Sequence, residues 1–512
     1  MFILILIFAV WLRLDGAIHG YFAFTFDPGR DLLAVRDLVV NHKLTLIGPF
    51  SGISGVFYGP WWYWILALPF IIGSGDPRAI AAFIAIANLF VPIGMYWLGK
   101  RMGSVTAGII GAALATLSPL LVGYSSQIWN PNLVPPLVVG VILLMFRLGN
   151  KKVKRDKWGS EILLWLIFGL FLGLIINLQI SFGLAFALSL LPWFMFTLIK
   201  KNEARWGVIV AGLGFILPFL PLVIFDFRHQ SLESKAIIAY IKNPTIRSHN
   251  YDAFPFAWKL TNRASLFWDI WRETMKSSYF AGMTIVTMII GFIAAVSHWL
   301  RKNKKDKQSE EIIRFTLSLF LSITSLFVFF LRYSDTVWNY YLVGLPVIAL
   351  CCVVAILALV TRIFPKFHKP IFVYPLLAVI FIVLLPLGQV EEVFGLRKAW
   401  QGDGSVFRNQ LAILDYIYHD VGDKELNIMV YTPPIYDFHY QYLFWWYGRK
   451  KYGRIPGSQR KGNLYLIMEP EKDRPWLWEG WIKTVVKDPG KVIDRKEFPG
   501  GVVVEKRIIK ER

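Results

Sequence analysis

Long apolar stretches separated by short polar ones run through most of the chain. Ten of them are close to the 20 residues that a helix needs to cross the hydrocarbon core of a bilayer. They lie at 79–98, 104–122, 133–148, 162–180, 182–199, 206–225, 280–298, 314–331, 341–361 and 371–390. Two apolar stretches are shorter, the opening MFILILIFAVWL and WWYWILALPFIIG at 61–73. The pattern predicts a polytopic, mostly α-helical membrane protein.

Basic residues between these stretches predict the orientation of the chain. They fall into five clusters: Lys100-Arg101, KKVKRDK at 151–157, Lys200-Lys201 with Arg205, RKNKKDK at 301–307, and Arg362, Lys366 and Lys369. Short connections rich in Lys and Arg stay on the cytoplasmic side. If all five clusters are cytoplasmic, residues 123–132 and 332–340 lie outside. Successive loops then alternate between the two sides of the membrane only if one of the two shorter stretches crosses it and the other does not.

We expect the opening stretch to cross and residues 61–73 to lie on the outer face. The aromatic edge GPWWYW is typical of an interfacial helix, and glycines, Asp76 and Pro77 follow it at once. If residues 61–73 crossed instead, Asp27 would be cytoplasmic. The preferred arrangement has about eleven spans, an inside N-terminus, and large external loops at 15–78 and 226–279.

The composition of the chain changes after residue 390. ELNIMVYTPP and NLYLIMEP predict short strands, YQYLFWWYGRKKYG predicts an amphipathic helix, and GGVVVEKRIIK predicts a closing strand. We therefore divide the chain into a membrane domain, 1–390, and a small extracytoplasmic α/β domain, 391–512.

The overall composition excludes a water-soluble globule. Of the 512 residues, 55% are hydrophobic and 17% are charged, and the mean hydropathy is +0.50. The net charge of +21 would suggest nucleic acid as a partner of a soluble chain. In a membrane chain basic residues orient the loops, so we predict membrane lipids and no nucleic acid as partners. The adjacent Cys351 and Cys352 offer neither a disulfide framework nor metal-ligand spacing.

Charged residues gather near the outer ends of the spans. The three segments are FDPGRDLLAVRD at 26–37, FDFRHQ at 225–230 and RYSDTVWNYY at 332–341. They supply Arg30, Arg36, Arg228, His229, Arg332, Tyr340 and Tyr341. Guanidinium groups bind phosphate oxygens in a bidentate manner, so the set suits a lipid-borne phosphate at the outer surface. For each residue taken alone, ordinary interfacial anchoring is the better explanation.

An ordered series of segments resembles the type C membrane glycosyltransferases that use polyprenyl-phosphate sugars. The segments are FDPGRDLLAVRD, GPFSGISGVFYGPWWYW, SQIWNPNLVP, FDFRH and WNYYLVGLP, and the resemblance covers about residues 1–390. The group includes protein O-mannosyltransferases, bacterial lipid A aminoarabinose transferases and the prokaryotic family 39 glycosyltransferases. The resemblance implies that Asp27 is the catalytic carboxylate and that Arg30 helps to hold the donor phosphate.

The chain departs from that group at two places. The aminoarabinose transferases carry Lys-Pro-Pro where this chain has Gly59-Pro60, so their donor-binding Lys is missing. Many relatives place an Asp in the second external loop, where this chain has Asn130 and Asn132. The loss of that carboxylate leaves a divalent metal unsupported, and we assign no cofactor. The two asparagines are candidates for binding the sugar or acceptor, although Asn132 could equally cap the next span.

The mechanism that the resemblance implies is a single inverting displacement with polyprenyl phosphate as the leaving group. Asp27 would take the proton of the acceptor hydroxyl, unless its main role is to cap the helix that begins at Pro28. The residues predicted to neutralise the phosphate are Arg30, Arg228, His229, Tyr340 and Tyr341. Asp226 is a second candidate for the base or for acceptor binding. Asp31 and Asp37 are expected to be solvated or paired with neighbouring Arg residues.

The predicted function is therefore hexosyl or pentosyl transfer at the outer face of the plasma membrane. A lipid, protein or polysaccharide would be the acceptor, and the sequence specifies neither it nor the sugar. The alternative from another class is a transporter or flippase of a phosphate-bearing lipid, against which stands the near absence of charge within the spans. A third hypothesis is that the protein is a non-catalytic assembly subunit whose external domain binds partners.

Overall fold

The structure is a computed structural model. It describes residues 1–150, 158–200, 204–243, 255–301, 306–333, 336–364, 402–433, 436–471, 473–474, 476–487 and 490–509, with five further positions between 366 and 380. Most of the predicted span at 371–390, the basic cluster at 151–157 and most of the cluster at 301–307 lie outside the described residues.

The membrane part consists of eighteen described helices. They are α1 (Phe2–His19), α2 (Phe26–Val39), α3 (Trp61–Ile72), α4 (Pro77–Asn88), α5 (Phe90–Arg101), α6 (Val105–Leu117), α7 (Pro119–Ser125), α8 (Val134–Asn150), α9 (Trp158–Leu178), α10 (Ile180–Ser189), α11 (Leu191–Lys200), α12 (Ala204–Ile216), α13 (Leu220–Arg228), α14 (Leu232–Lys242), α15 (Phe256–Met275), α16 (Ser278–Arg301), α17 (Lys307–Arg332) and α18 (Leu345–Ile363). Short 3₁₀ turns at Asn130–Leu133, Leu217–Phe219 and Asn339–Leu342 lead into α8, α13 and α18.

Eight helical segments of the described chain are long and apolar enough to cross a membrane, and the bent pair α6–α7 makes a ninth. The opening stretch is a helix of 18 residues, so the helix is longer than the apolar run MFILILIFAVWL. Helix α3 has 12 residues, which is about 18 Å and too short for a hydrocarbon core of about 30 Å. The chain is therefore a multi-pass membrane protein with a short apolar helix in its first loop, as predicted.

The span predicted at 104–122 is broken where α6 meets α7. The two helices are bent by 63°, and Pro119 cannot donate a hydrogen bond to the carbonyl of Ala115. The guanidinium of Arg13, which is 1% exposed, donates to the carbonyls of Ala115 at 2.8 Å and Thr116 at 3.2 Å. Unpaired carbonyls are costly inside a membrane. This charge within a span was missed in the sequence, and its partners give it a structural role.

The C-terminal part contains a four-stranded sheet and short helices. Its helices are α19 (Phe407–Val421), α20 (Phe438–Leu443), which continues through a π-helical turn (Phe444–Gly448) into α21 (Arg449–Tyr452), and α22 (Leu477–Trp481). Its strands are β1 (Asn427–Tyr431), β2 (Gly462–Met468), β3 (Lys491–Phe498) and β4 (Val502–Ile509), in the order β1-β2-β4-β3. Strands β1 and β2 are parallel, and β4 pairs antiparallel with both β2 and β3.

The predicted strands and amphipathic helix of the tail are present as β1, β2, β4 and α20–α21. Sequence reasoning missed α19 and β3. Seven of the eight residues of β3 are exposed, so this edge strand carries no alternation of buried and exposed positions.

The C-terminal part packs directly on helix α2. Gly29 permits the contact, because a Cβ at this position would lie 2.3 Å from the backbone nitrogen of His439. The ring of Phe26 lies 5.2 Å from that of Phe438, and the Gln410 amide donates to the carbonyl of Phe24 at 2.9 Å. The tail therefore fixes the position at which α2 begins.

Candidate active site

Asp27 lies in the first turn of α2 and is open to solvent. Thr25 occupies the cap position and no side chain caps the helix, so the expected N-cap role of Asp27 is wrong. The Asp27 carboxylate forms an ion pair with the Arg30 guanidinium at 2.9 Å, and 42% of the Asp27 side chain is exposed. A carboxylate in this setting is accessible to an incoming hydroxyl.

Arg30 is held from its other side by Asp31. The two form an ion pair at 2.8 Å. Asp31 is fully buried and also accepts from the Trp62 indole at 2.7 Å and the Tyr63 hydroxyl at 3.4 Å. Burial raises the pKa of Asp31 to about 6, although the charge of Arg30 and the Trp62 hydrogen bond oppose the rise. Asp31 is thus paired as expected but not solvated.

A cavity of about 620 Å³ lies beside this cluster, between the first loop and the adjoining ends of several helices. Its polar wall contains Tyr58, Asn177, Tyr340 and Tyr341. Much of the remaining wall is apolar, and several of these apolar side chains are exposed on the membrane part: Leu184, Val223, Phe227 and Ile237. Such a cavity can take a ligand with an apolar tail and a polar head.

Hydrogen bonds between separate helices hold the polar wall. The Tyr58 hydroxyl donates to the Gln179 side-chain carbonyl at 3.0 Å, and the Gln179 amide donates to the backbone carbonyl of Tyr340 at 3.3 Å. Gln179 is buried in the break between α9 and α10. The carbonyl oxygen of Asn177 is buried without a partner in the described chain, against Gly59. Sequence reasoning missed Gln179 and Asn177, which stand singly in apolar stretches.

Electrostatics connect Asp27 and Arg30 to the cavity. Burial raises the pKa of Tyr58, the charge of Asp27 raises it further and the charge of Arg30 lowers it. The charge of Asp27 also acts on Tyr340. Neither Asp27 nor Arg30 is among the residues that line the cavity. The pair therefore lies next to the polar wall and outside it.

Two carboxylates line the cavity on the opposite loop. Asp226 accepts hydrogen bonds from the backbone nitrogens of Glu233 at 2.8 Å and Ser234 at 3.1 Å, so it stabilises the start of α14. Glu233 accepts from the Phe57 backbone nitrogen at 3.2 Å, and burial raises its pKa to about 6. Asp226 is occupied as a helix cap, which counts against its predicted role as the base. Glu233 was missed in the sequence.

Arg228 and His229 stand apart from the polar wall. Both are exposed at the end of α13, and the His229 ring stacks on Phe225 with 4.1 Å between ring centroids. Neither lines the cavity, and no Arg or Lys is present in the lining formed by the described residues. Of the predicted phosphate-binding residues, the structure brings Tyr340 and Tyr341 to the cavity and Arg30 beside it.

The two asparagines of the loop predicted to be the second external one are buried and lie in different surroundings. The Asn130 amide donates to the Leu178 carbonyl at 2.5 Å, at the break between α9 and α10. The Asn132 amide donates to the Gln127 carbonyl at 3.0 Å, and Asn132 lines a separate cavity. Both amides therefore have structural partners, and Asn132, which also lines a cavity, remains a candidate for ligand binding.

The described parts of the chain contain no group of three or more His, Cys, Asp or Glu residues that could hold a metal ion. At the candidate site Arg30 lies between Asp27 and Asp31, in the position that a bridging cation would need. The residues at this site do not fit a metal ion, and the reaction proposed for the protein does not involve one.

Solved structures of membrane transferases share this architecture. The crystal structure of ArnT from Cupriavidus metallidurans bound to undecaprenyl phosphate matches with a TM-score of 0.57 and 11% identity, covering 99% of this chain and 97% of that one. The apo structure of ArnT gives 0.54 and 13%, with 97% of each chain covered. The Archaeoglobus fulgidus oligosaccharyltransferase in complex with Zn and sulfate gives 0.51 and 13%, covering 98% of this chain and 72% of that one.

Comparison of the sequence with family models and with curated proteins gives no match. The structural matches extend over nearly the whole chain at low identity, so they establish the fold. The chain has the type C glycosyltransferase fold, as the sequence resemblance implied.

Proposed function

We propose that this protein is an integral membrane glycosyltransferase that moves a sugar from a polyprenyl-phosphate donor to an acceptor hydroxyl. The observation that carries the proposal is a cavity with an apolar side and a polar wall, next to an exposed carboxylate and an arginine, in a type C glycosyltransferase fold. The ArnT structure that shares this fold has undecaprenyl phosphate bound. We place the reaction on the outer face of the plasma membrane, following the orientation predicted from the basic clusters.

In the proposed reaction the acceptor oxygen attacks the anomeric carbon of the donor sugar. The bond between that carbon and the phosphate oxygen breaks, and its electron pair leaves with the polyprenyl phosphate. The carboxylate of Asp27 takes the proton of the acceptor hydroxyl as the new bond forms. One displacement inverts the configuration at the anomeric carbon.

Arg30 is the group proposed to meet the phosphate. Its guanidinium can turn two N–H groups towards phosphate oxygens while Asp31 keeps hold of the others. Tyr340 and Tyr341 would hydrogen-bond the phosphate or sugar from the polar wall. Arg228 and His229 follow the lining residue Phe227 at the rim, where we propose that they meet the headgroup as it arrives from the membrane.

The alternative, a lipid flippase, would need charged or polar residues along a path through the spans. Arg13 is a charge within a span, but it is buried and hydrogen-bonded to the carbonyls of a broken helix. That arrangement favours a structural role over a path.

The proposal is tested with the purified protein in liposomes that contain a radiolabelled polyprenyl-phosphate sugar and cell-envelope fragments as the acceptor source. We expect the label to move to the envelope fraction with loss of the donor. The transferase proposal is wrong if no polyprenyl donor supports transfer and the protein moves the same lipids between leaflets. The protein would then be a lipid flippase.

A further inference from the structure

A second cavity of about 420 Å³ has no role in the function proposed so far. It lies where α7 and the turn after it meet the end of α15. Its polar and aromatic lining residues are Tyr124, Gln127, Trp129, Asn132, Glu273 and Lys276. These residues come from two segments, 123–132 and 226–279, that the basic clusters predict to be external.

The two cavities share a wall made of aromatic rings. Trp129 lines the second cavity and Tyr340 lines the first, and their ring centroids are 4.8 Å apart. An inverting displacement needs the nucleophile and the leaving group on opposite faces of the sugar ring. The second cavity lies across the Trp129–Tyr340 contact from the first, so the two cavities offer separate places for the nucleophile and for the leaving group beside Arg30.

The lining of the second cavity suits a polyhydroxylated ligand. Glu273 accepts hydrogen bonds, Lys276 donates them, and the Gln127 amide does both, next to the rings of Tyr124 and Trp129. A carbohydrate presents both hydrogen-bond donors and acceptors to these polar groups.

The backbone at Lys276 is strained. Its φ of +63° lies in the left-handed region at the end of α15, a position at which glycine usually stands. Non-glycine residues in such conformations cluster at ligand-binding sites. The strained lysine is compatible with a binding site in this cavity.

We propose that the second cavity holds the acceptor and that the acceptor is a glycan chain. This inference rests on the proposed transferase function. The reacting hydroxyl of the glycan would pass the edge of the Trp129–Tyr340 wall, its oxygen would bond to the anomeric carbon as the phosphate departs with the electron pair, and its proton would move to Asp27.

The test blocks the second cavity from outside. Cys351 and Cys352 are buried, so a Gln127→Cys variant offers a reactive thiol on an exposed lining residue. A bulky methanethiosulfonate reagent attached there should lower transfer to envelope glycan at least tenfold relative to the unlabelled variant. Binding of undecaprenyl phosphate, measured by thermal shift, should be unchanged by the label. The matched control is Ser278→Cys, which is exposed nearby but does not line the cavity, and its labelling should leave transfer unchanged.

The site assignment is overturned if labelled Gln127→Cys transfers as fast as the unlabelled variant. The assignment of a glycan acceptor is overturned if the transferred radiolabelled sugar is released by protease or extracted with lipids and does not stay with polysaccharide. Absence of transfer in the unlabelled variants with every donor would instead remove the proposed function, and the acceptor assignment with it.

Discussion

Arg30 is the residue on which the charges of the site converge. It lies between an exposed carboxylate, Asp27, and a buried one, Asp31, at 2.9 Å and 2.8 Å. The buried carboxylate is fixed by Trp62 and Tyr63 from the next helix of the loop. Asp31 therefore orients the guanidinium, while Asp27 can release it when a phosphate arrives. We propose that this arrangement divides the two tasks: Arg30 binds the anion and Asp27 acts as the base.

The first prediction concerns Arg30. Replacing it by glutamine, Arg30→Gln, removes charge-assisted hydrogen bonds to phosphate, each of which is typically worth about 1.5–3 kcal/mol. We expect the KM for the polyprenyl-phosphate donor to rise about 10- to 150-fold, since about 1.4 kcal/mol corresponds to a factor of ten. Arg36→Gln is the control, because Arg36 pairs with Asp37 on the same helix. Equal donor KM values for the two variants would refute the role of Arg30.

The second prediction follows from the pKa of about 6 that burial gives Asp31. Below this pH the carboxyl takes up a proton, loses its charge and no longer holds Arg30. We expect kcat/KM to fall as the pH drops below about 6. In Asp31→Asn the activity should be low at every pH and the inflection near pH 6 should vanish. The same inflection in the variant would assign it to another group.

At this scale the sequence predicts the pair Asp27 and Arg30, because both belong to one short motif at the start of a helix. It does not predict Gln179, Asn177 or Glu233. Each of these contacts a residue far along the chain that lines the cavity or its edge, as in the bond between Gln179 and Tyr58. Only the packing of separate helices creates such contacts, and a single sequence carries no local signal of them.

Among the elements, α2 depends most on a distant part of the chain. The backbone of α20 lies against its first turn at Gly29, and aromatic rings of the tail flank Phe26. His439, which the sequence left without a role, is buried at this junction and pairs with Glu469 next to β2, at 3.1 Å. The tail thereby links its sheet to the helix that carries Asp27 and Arg30.

The third prediction tests this junction. In Gly29→Ala the new Cβ would clash with the His439 backbone, so α2 or the tail must shift. Because displacements near 1 Å cost about 100-fold when they misplace reacting groups, we expect kcat to fall about 10- to 100-fold. Gly212→Ala is the control, since a Cβ at that position meets nothing within 4 Å. Equal kcat values for the two variants would show that the position of the tail does not matter.

Element boundaries follow from the sequence where a pattern is strong and fail where neighbours decide them. Helices such as α17 and α18 coincide with the predicted apolar stretches. The break at Pro119 was not predicted, because it is stable only with Arg13 supplied by another helix. Strand β3 was missed because pairing with β4 holds it in place, with almost no burial of its own.

At the scale of the whole molecule, the account depends on which face of the membrane carries α2 and the two cavities. The basic clusters predict that this face is the outer one. The fold agrees with several membrane crossings but does not by itself give their direction. Orientation therefore needs a measurement of its own.

The fourth prediction concerns orientation. The native cysteines are buried, so single introduced cysteines report accessibility. Lys43→Cys, in the first external loop, should react with a membrane-impermeant maleimide in intact cells. Arg101→Cys, in a predicted cytoplasmic cluster, should react only after permeabilisation; both positions are exposed. Reaction of both variants only after permeabilisation would place Asp27 in the cytoplasm and restore the alternative in which residues 61–73 cross.

The central claim is that Asp27 is the base of a sugar transfer from a polyprenyl-phosphate donor, and Asp27→Asn tests it most directly. Loss of a general base typically costs about 10²–10⁴-fold in rate. The purified variant should bind undecaprenyl phosphate as the wild type does and transfer sugar at least about 100-fold more slowly. Asp37→Asn, which makes the same change on the same helix beside Arg36, should retain near-wild-type transfer. Undiminished transfer by Asp27→Asn would contradict the account.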